Sequence, residues 1–288
     1  MNIEHVRTFL AIAETGSFVA AAERLHVTQS TVSARIRALE QQLGSTLFIR
    51  NKTGATPTAA GTRFLGPAGQ MVRAYEHARQ DIGLPKRIRS RLTIAARIGL
   101  WDGLLLAWFP RLRQSHPDIV FRAEIGFEPE IMQGLIEGRV DIACLYTPQH
   151  RPGLELIGLF VDHLVMVSGA PGLSATDESY IHVDWAPEFQ AQFAAMFPEM
   201  PSPALSVNIG WLGLQSLLLS GGTGYFPYRL VEAGLAAGKL HLVPGAPRFE
   251  LPAWGLVRRD RDRSLVDPMI DSLIAESAAV DANPPLSR

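Results

Sequence analysis

The sequence predicts an α/β protein with a small all-α domain at its N-terminus and a larger α/β region behind it. A chain of 288 residues is long for one compact domain, so two or three units are expected. Up to about residue 82 the apolar residues recur at helical spacing, whereas from residue 90 short apolar strands alternate with helices. With 47% hydrophobic and 19% charged residues, the chain can bury a sizeable core and is expected to be globular.

Charge is divided unevenly along the chain. The formal net charge is −1, which by itself argues against a nucleic-acid partner. Residues 1–90, however, hold 12 Lys and Arg against 6 Asp and Glu, a net of +6, while the remainder holds 15 against 22, a net of −7. Between residues 24 and 63 the only acid is Glu40. This division predicts a basic module joined to an acidic, solvating one.

The first ten residues and the single cysteine indicate in which cellular compartment the protein is expected. The opening MNIEHVRTFL lacks the basic start and apolar core of a signal peptide. No apolar run approaches ~18 residues, so no membrane partner is expected. Cys144 cannot form an internal disulfide and fits a reducing cytoplasm. The sequence therefore predicts a cytoplasmic protein.

Three helices are predicted at the N-terminus. Residues 3–14 have apolar side chains at i, i+3, i+4 and i+7, and Gly16 ends this helix. Ser17 is placed to cap a second, alanine-rich helix that starts at Phe18. Thr28 is placed to cap a third helix, with valines on either side in the positions of a hydrophobic staple.

The third predicted helix, TQSTVSARIRALEQQLG (28–44), has two different faces. One is an apolar stripe that is expected to be buried and consists of Val32, Ile36, Leu39 and Leu43. The opposite face is small and uncharged in its N-terminal half, is flanked by Arg35, and consists of Gln29, Ser30, Ser33, Ala34, Arg37 and Gln41. Small residues allow close approach, and Gln and Ser can bond base edges or phosphates, so this face is typical of a helix in the major groove.

Two short helices joined by a brief turn, the second with such a face, match a helix-turn-helix. A plain three-helix bundle remains the alternative. Residues 45–50 predict a strand and residues 51–57 a turn, and together they predict a wing. From this wing, Arg50 and Lys52 would contact phosphates or the minor groove of double-stranded DNA.

The stretch FLAIAETGSFVAAAERLHVTQSTVSARIRALEQQLGSTLFIR, followed by TPTAAGTRFL, resembles the LysR-type transcriptional regulators, most densely over residues 1–65. The resemblance implies a winged helix-turn-helix DNA-binding domain over residues 1–62, a dimerisation helix over 58–86, and a homodimer or homotetramer. The resemblance is also compatible with RNA polymerase as a partner. The DNA contacts expected from the resemblance and from the faces described above are Ser17, Thr28, Gln29, Ser30, Ser33, Ala34, Arg35, Arg37, Arg50, Lys52 and Thr58.

A long linker helix is predicted after the wing. Thr58 can cap a helix running to about residue 83, and its apolar positions alternate spacings of four and three, namely Phe64, Ala68, Met71, Tyr75, Ala78 and Ile82. That heptad seam suits pairing with a second chain, and the family resemblance favours an antiparallel dimer, although the seam could instead pack on its own domain. Pro67 departs from the pattern, because an interior proline removes a backbone bond and kinks a helix.

Strands are predicted over 92–96, 119–126 and 141–146, with helices over 101–109 and 130–136 between them. This alternation predicts a parallel, doubly wound sheet. It also resembles the family's effector lobes, which are similar to periplasmic binding proteins. On that resemblance residues 90–161, completed by 265–288, form lobe 1 and residues 162–264 form lobe 2. Residues 164–168 and 252–258 cross between the lobes, and 264–280 form a final helix.

Ligands of open α/β sheets bind beyond the carboxyl ends of strands. By position this selects a tentative effector site consisting of Arg97, Gly99, Leu100, Trp101, Tyr146, Thr147, Gly222, Thr223 and Tyr225. The glycine loop within 220–227 lacks the lysine of a phosphate loop, and a tight turn is the favoured alternative. Many family members have a hydroxyl residue just after the first effector strand, and this chain has none. Arg97 could hold a carboxylate or form a surface ion pair. The turn at 100–102 slightly resembles the HdfR branch of the family.

Little in the sequence supports an enzymatic function. The sequence contains no HExxH, paired CxxC or GxSxG, and no metal-ligand spacing among its histidines. Cys144 lies in an apolar strand, where a packed thiol is favoured over a nucleophile. We therefore predict a DNA-binding regulator with no catalytic residue, metal or cofactor, modulated by an unidentified small-molecule co-inducer. A constitutive DNA-binding protein whose second half only oligomerises, and an enzyme-like domain fused to a DNA-binding domain, remain alternatives.

Overall fold

The computed structural model describes residues 1–51, 54–82 and 88–281. The chain divides into two compact units, the first mainly N-terminal to the residue 83–87 segment and the second mainly C-terminal to it. Within the described ranges, the helices are all too short or too polar to cross a membrane.

The N-terminal unit is a winged helix-turn-helix followed by a long helix. Its elements are α1 (Ile3–Thr15), α2 (Phe18–Arg24), α3 (Gln29–Leu43), β1 (Phe48–Asn51), β2 (Gly54–Pro57) and α4 (Ala59–Asp81). Strands β1 and β2 pair antiparallel, with Phe48 opposite Pro57. The predicted turn at 51–57 thus ended too late, because residues 54–57 already form the returning strand.

The predicted helix boundaries follow from local capping. Gly16 and Gly44 end α1 and α3 in the left-handed conformation, which glycine adopts without strain. Ser17 accepts a hydrogen bond from Ala20 N at the start of α2, and Thr28 accepts one from Thr31 N at the start of α3. These four predictions are confirmed.

One aromatic core holds the helices, the wing and α4 together. The buried ring of Phe9 lies 5.2 Å from that of Phe48 in the wing and 5.0 Å from that of Phe64 in α4. Val32, Ile36 and Leu39 of α3 are also buried, as predicted. Leu43 is 37% exposed, so its assignment to the buried stripe was wrong: it is the last residue of α3, where the helix ends in solvent.

Helix α4 uses its apolar seam in two ways. The helix continues unbroken from Ala59 to Asp81 through Pro67. In its first half, Ala68 is buried and Phe64 packs against the core of its own domain. In its second half, Tyr75 is 44% exposed and Ile82 is 85% exposed. The first half of the seam therefore packs on its own domain, as one alternative predicted. Pairing of the exposed positions in the second half with another chain stays a prediction.

Gly61, in the first turn of α4, allows the helix to cross the start of the wing. Replacing it with alanine sets two effects against each other. Helix propensity favours alanine by about 1 kcal/mol. A Cβ on Gly61, however, would lie 2.2 Å from the carbonyl oxygen of Leu47, which is backbone and cannot rotate away. We expect the clash to win and the free energy of unfolding of this domain to fall by ~1–3 kcal/mol in urea denaturation.

Gly66→Ala is the matched control for Gly61→Ala. Its Cβ would meet open space, and the preference for alanine in a helix is offset by the following Pro67. The free energy of unfolding should therefore change by less than about 1 kcal/mol. Equal effects of the two substitutions would contradict the contact with Leu47.

The C-terminal unit is built on one sheet with the strand order β4-β3-β5-β11-β6-β9-β7-β8 and β10 paired with β6. Lobe 1 contains β3 (Ser90–Ala96), α5 (Ile98–Leu100), α6 (Leu106–Ser115), β4 (Ile119–Ile125), α7 (Glu128–Glu137), β5 (Ile142–Leu145) and α11 (Arg263–Asp281). Lobe 2 contains β7 (Tyr180–Val183), α8 (Pro187–Met196), β8 (Leu205–Val207), α9 (Gly210–Ser220), β9 (Thr223–Pro227), α10 (Tyr228–Ala236) and β10 (His241–Leu242).

Two long strands cross between the lobes. They are β6 (Leu154–Ser168) and β11 (Phe249–Arg258), and they pair antiparallel. Within each lobe, the strands that alternate with helices are parallel, as predicted. The expectation of an all-parallel sheet was wrong for β6 and β11, because a strand that leaves one lobe must run against the strand that returns. The predicted lobe boundary at residues 161–162 lies inside β6.

The predicted helix over 101–109 is interrupted. Asp102 has an extended backbone (ψ 129°) and Gly103 has a φ of 76°, so the chain turns between α5 and α6. The pattern of apolar residues continues across this turn, which is why periodicity alone predicts one helix. Gly103 marks the break, since left-handed backbone favours glycine.

Candidate DNA interface and interlobe cleft

The outward face of α3 is formed by the predicted residues. Gln29, Ser30, Ala34 and Arg37 are exposed and Ser33 is half-buried, whereas the opposite side of the helix packs on the core. At the N-terminus, the hydroxyl of Thr28 lies 2.8 Å from that of Ser30. Unpaired backbone N–H groups in the first turn add donors that suit a phosphate. This face can approach a nucleic acid closely and bond both its backbone and its bases.

The only acid of the basic segment is directed away from that face. Glu40 Oε1 accepts hydrogen bonds from Leu47 N at 2.7 Å and from Phe48 N at 3.4 Å. The carboxylate thereby joins the end of α3 to the first strand of the wing. Sequence reasoning noted Glu40 only as an exception to the positive charge, because its backbone partners become visible only when the wing folds back.

Other predicted DNA-contact residues have partners within the protein. Arg35 donates to Thr8 Oγ1 at 3.3 Å and forms an ion pair with Glu4 at 3.6 Å, so it is directed toward α1. The guanidinium of Arg50 lies 3.8 Å from the ring centroid of Phe18. A role of either arginine in DNA binding stays a prediction.

The remaining predicted contacts are caps or lie outside the described residues. The side chain of Ser17 caps α2. Thr58 accepts from Gly61 N at 3.0 Å and donates to the Thr46 carbonyl at 2.7 Å. Lys52 falls outside the described residues, as does the end of the predicted linker beyond residue 82.

Arg97 lies at the carboxyl end of β3, where an effector contact was predicted. Its Nη2 donates to the Asn208 carbonyl at 2.9 Å, and its Nη1 lies 3.5 Å from a carboxylate oxygen of Glu128. The guanidinium also lies 4.6 Å from the ring centroid of Phe127. Arg97 is therefore a buried residue that links lobe 1 to lobe 2, rather than part of a surface ion pair.

A charged network, here called the Arg229 network, joins Arg229, Asp162 and Tyr146. Arg229 Nε and Nη2 donate to the two carboxylate oxygens of Asp162 at 2.7 and 2.9 Å. The Tyr146 hydroxyl donates to Asp162 Oδ2 at 2.8 Å and accepts from Arg229 Nη2 at 3.1 Å. Arg229 is the second residue of α10 in lobe 2, Asp162 lies on the crossing strand β6, and Tyr146 follows β5 in lobe 1.

Both titratable partners of Asp162 keep their proton near neutral pH. Burial raises the pKa of Tyr146 well above its ordinary value, and the neighbouring Asp162 carboxylate raises it further. Burial opposes the charge of Arg229, but Tyr146 and Asp162 outweigh it and raise the pKa of the guanidinium. The network thus contains a neutral phenol and a charged guanidinium, both bonded to the Asp162 carboxyl group.

Trp185 also lies between the lobes. It follows β7 in lobe 2, it is 5% exposed, and its Nε1 donates to the Tyr225 carbonyl at 2.8 Å. Its ring meets that of Tyr146 edge to face, with centroids 6.3 Å apart. Together with Arg97 and the Arg229 network, it occupies the cleft at the carboxyl ends of the strands.

The structure brings some of the predicted effector residues together and not others. Arg97, Gly99 and Tyr146 face the cleft, and Thr147 beside them is half-buried. Leu100 is fully buried. Trp101 packs inside lobe 1, where its Nε1 donates to the Glu124 carbonyl at 2.9 Å.

The glycine loop lies at the amino end of its strand, whereas the prediction of an effector contact requires the carboxyl end. Thr223 is the first residue of β9, so Gly222 lies at the amino end, away from the cleft. A Cβ on Gly222 would lie 2.4 Å from the Ser179 carbonyl oxygen, which agrees with the tight-turn alternative. Tyr225 packs in an aromatic cluster of lobe 2, 5.0 Å from the ring of Phe249. An effector contact by these three residues stays a prediction without support from their position.

Sequence reasoning missed Asp162, Trp185 and Arg229. Asp162 carried a usable signal, since it stands alone in the apolar strand LFVDHLVMV (159–167). A carboxylate buried there must have a partner. The partner could not be identified, because Arg229 is 67 residues away.

Cys144 is a packed thiol, as predicted. It is fully buried in β5, and burial raises the pKa of its thiol to about 12. The nucleophilic thiolate is therefore strongly disfavoured. Across the described ranges, no group of three or more His, Cys, Asp and Glu side chains could hold a metal ion.

Comparison with known proteins identifies the class. The helix-turn-helix of the lysR family of bacterial regulatory proteins matches residues 3–62, and the LysR substrate binding domain matches residues 85–278. The HTH-type transcriptional regulator HdfR of Shigella boydii serotype 18 is 30% identical over 269 residues, covering 92% of this chain and 94% of HdfR. HdfR of Escherichia coli O139:H28 shows the same identity and coverage.

Solved structures share the fold. ArgP from Mycobacterium tuberculosis is similar at a TM-score of 0.60 and 25% identity, covering 95% of this chain and 96% of ArgP. Full-length LysG from Corynebacterium glutamicum, with bound effector Arg, is similar at a TM-score of 0.60 and 21% identity, covering 97% and 99%.

The chain belongs to the LysR family. It is a LysR-type transcriptional regulator, with a DNA-binding helix-turn-helix domain and an effector-binding domain. The predicted fold class is confirmed, and so is the prediction of a regulator rather than an enzyme.

Proposed function

We propose that this protein binds specific DNA sites as a homo-oligomer, with α3 in the major groove, and that a small molecule acting at the interlobe cleft modulates it. The observation that carries this proposal is the outward face of α3. Its side chains are small, polar or cationic, while the opposite stripe packs on the core. A helix exposed only to solvent has no reason to exclude carboxylates from its free face, whereas a helix in a groove lined by phosphates does.

The cleft supports the modulation by a small molecule. Polar groups from both lobes converge there: the guanidinium groups of Arg97 and Arg229 and the hydroxyl of Tyr146. A ligand that bonds any of them would favour one arrangement of the lobes over another. We propose an unidentified small-molecule co-inducer as the ligand, with no metal or cofactor required. RNA polymerase as a partner and the cytoplasm as the location belong to the same proposal.

Helix α9 supports self-association of the effector domain. It contains no charged residue, and its solvent-facing side is apolar, with Trp211 50% exposed and Leu219 86% exposed. Leu212 and Leu218 lie on the same side, and Leu205 of the adjacent edge strand β8 extends the surface. On lobe 1, α6 and the other edge strand expose Leu106 and Ile125. Apolar surfaces of this kind at opposite edges of one sheet favour a second copy of the chain as the partner.

Trp211→Glu tests this surface. A buried, unpaired carboxylate at an apolar interface is strongly unfavourable, so we expect the assembly to dissociate at concentrations at least ~100-fold higher than for the unmodified chain. Sedimentation velocity over a concentration series measures this. Ser220→Glu, at the exposed end of the same helix, is the control for added charge. Identical dissociation of both variants would contradict the proposed surface.

The constitutive alternative has one observation in its favour. Side chains of the protein itself lie in the cleft, and the ring of Trp185 is buried there. In that case the C-terminal domain would only oligomerise. A binding experiment distinguishes an effector-binding domain from a constitutive one. A ligand that binds only the native state raises the melting temperature of the protein.

Selection from a random duplex library tests the DNA proposal with the whole protein. We expect enrichment of a sequence with two related half-sites, because a symmetric oligomer presents two copies of α3. If no sequence is enriched and the affinity varies only with salt concentration, the protein binds DNA non-specifically, which contradicts the proposal of specific sites. A thermal-shift screen of metabolites tests the second half of the proposal. If no compound shifts the melting temperature, the constitutive alternative is favoured.

A further inference from the structure

The ring of Trp185 extends from lobe 2 into the cleft. Its Nε1 bond to the Tyr225 carbonyl fixes one edge of the indole in lobe 2. The six-membered part of the ring lies against Gly210, the first residue of α9. A Cβ placed there would lie 2.0 Å from Trp185 Cη2, so only glycine leaves room for the ring. This contact belongs entirely to lobe 2 and determines where the ring points.

The free edge of the same ring meets lobe 1. A Cβ placed on Gly99 would lie 3.8 Å from Trp185 Cζ3, an ordinary van der Waals distance, and 3.3 Å from the Tyr146 hydroxyl. Tyr146 closes the slot with its ring at 89° to the indole. Two glycines and a tyrosine therefore enclose a flat aromatic ring at the point where a ligand of this fold class would lie.

Arg229 holds the two lobes together beside this ring. Besides its bonds to Asp162, it donates to two backbone carbonyls of lobe 1, to Gly99 at 2.5 Å and to Asp102. Its guanidinium also lies 5.5 Å from the ring centroid of Phe160. Bonds from one guanidinium to a carboxylate and to carbonyls are charge-assisted, so they are stronger than neutral hydrogen bonds.

Arg97 makes a second connection, in the opposite direction. It extends from lobe 1 to the Asn208 carbonyl, close to the start of α9. The lobes are thus joined by Trp185 and Arg229 from lobe 2 and by Arg97 from lobe 1. All three side chains have little exposed surface.

We propose that the effector domain is closed by its own side chains: Trp185 occupies the cleft as an intramolecular ligand, and the Arg229 network locks the lobes over it. The closed form then needs no effector. Together with the proposed function, this implies that an effector acts by displacing the Trp185 ring and stabilising an open form. A ligand can shift that balance only by its difference in affinity for the two forms, so it must replace what the ring and Arg229 contribute.

Hydrogen exchange of the full-length protein, measured by mass spectrometry, tests the lock. Arg229→Met removes the bonds to Gly99, Asp102 and Asp162. We expect exchange to accelerate roughly tenfold or more in residues 97–104 and 206–212, which face each other across the cleft. Arg261→Met is the matched control, because Arg261 is equally shielded and pairs with Glu155 and Asp267 within lobe 1 alone. Its effect should be confined to lobe 1.

Two outcomes overturn the lock. One is equal acceleration of the cleft segments by Arg229→Met and Arg261→Met, which would make Arg229 an ordinary stabilising residue. The other is no acceleration in Arg229→Met at all. Because Arg229→Met leaves the Asp162 carboxylate buried without its cationic partner, Arg229→Met/Asp162→Asn is measured beside it. The double variant removes that unpaired charge and should still open the cleft segments.

Trp185→Ala with added indole tests the intramolecular ligand. The variant should have a lower melting temperature and faster exchange in residues 97–104. Indole is the ring that was removed, and it should reverse both changes while leaving the unmodified protein unaffected. Trp108→Ala is the control, since Trp108 is buried inside lobe 1 with its Nε1 on Ser272. If the proposal holds, indole should leave exchange across the cleft unchanged in that variant.

The indole experiment also has an outcome against the proposal. If indole restores the melting temperature of Trp185→Ala but leaves residues 97–104 exchanging fast, the ring is ordinary packing of lobe 2 and closure does not depend on it. Neither experiment requires DNA or a natural effector. A protein that enriches no DNA sequence would contradict the proposed function while leaving these exchange results intact.

Discussion

Phe9→Ala is expected to abolish DNA binding at 37 °C, although Phe9 is not on the outward face of α3. Its ring is fully buried and contacts the rings of Phe48 in the wing and Phe64 in α4. Removing a buried phenylalanine costs about 3–5 kcal/mol, through lost transfer free energy and the cavity that remains. The single core of a domain this small supplies only about 3–5 kcal/mol of net stability, so the folded fraction should fall sharply.

Circular dichroism during urea denaturation measures the Phe9→Ala effect. The chain divides into two compact units, each with its own buried core, so two transitions are expected, and only the N-terminal one should move. Val19→Ala on α2 is the control, because Val19 is half-exposed and its truncation should change the free energy of unfolding by less than about 1 kcal/mol. A shift of the C-terminal transition by Phe9→Ala would contradict the independence of the two cores.

Arg37→Ala is expected to weaken binding to the selected DNA site by roughly 10- to 100-fold without changing the stability of the domain. Arg37 is exposed on the outward face, and a good arginine contact with a base edge contributes about 1–3 kcal/mol of discrimination. Gel-shift titration with selected and scrambled duplexes measures both affinities. Loss of a base contact lowers the affinity for the selected duplex more than the affinity for the scrambled duplex. Loss of a phosphate contact lowers both affinities and reduces their dependence on salt concentration.

Arg35→Ala is the comparison for Arg37→Ala, two residues away on the same helix. Arg35 is bonded to Thr8 and Glu4 of α1, so its loss should affect DNA binding less. Unchanged affinity of Arg37→Ala for its selected site would contradict the proposed interface. A larger effect of Arg35→Ala would place the interface on the other side of α3.

The DNA-binding domain could be predicted almost completely because its signals are local. The caps Ser17 and Thr28, the terminating glycines Gly16 and Gly44, and the apolar spacing of α3 act within a few residues of where they stand. Local interactions of this kind form in the same way in any surroundings. The errors were at ends, at Leu43 and in the returning strand of the wing, where burial depends on what packs nearby.

The α/β region was harder because its pattern is ambiguous at turns. The break at Asp102 and Gly103 left the apolar spacing intact, so one helix was predicted where the chain bends. The glycine loop before β9 was assigned to the cleft, since the direction of the strand after it was not known. In both cases the missing information was orientation, which periodicity does not contain.

The sequence by itself determined the helices of the N-terminal domain, because capping and periodicity act over a few residues. Its resemblance to the LysR family identified the class of protein. Only the tertiary structure decided what fills the interlobe cleft. Trp185 meets Gly99 and Gly210, and Arg229 bonds Gly99 across 130 positions of the chain. Such contacts form only after the crossing strands have brought the lobes together. The residue types Trp and Arg do not by themselves predict which distant residue they will contact.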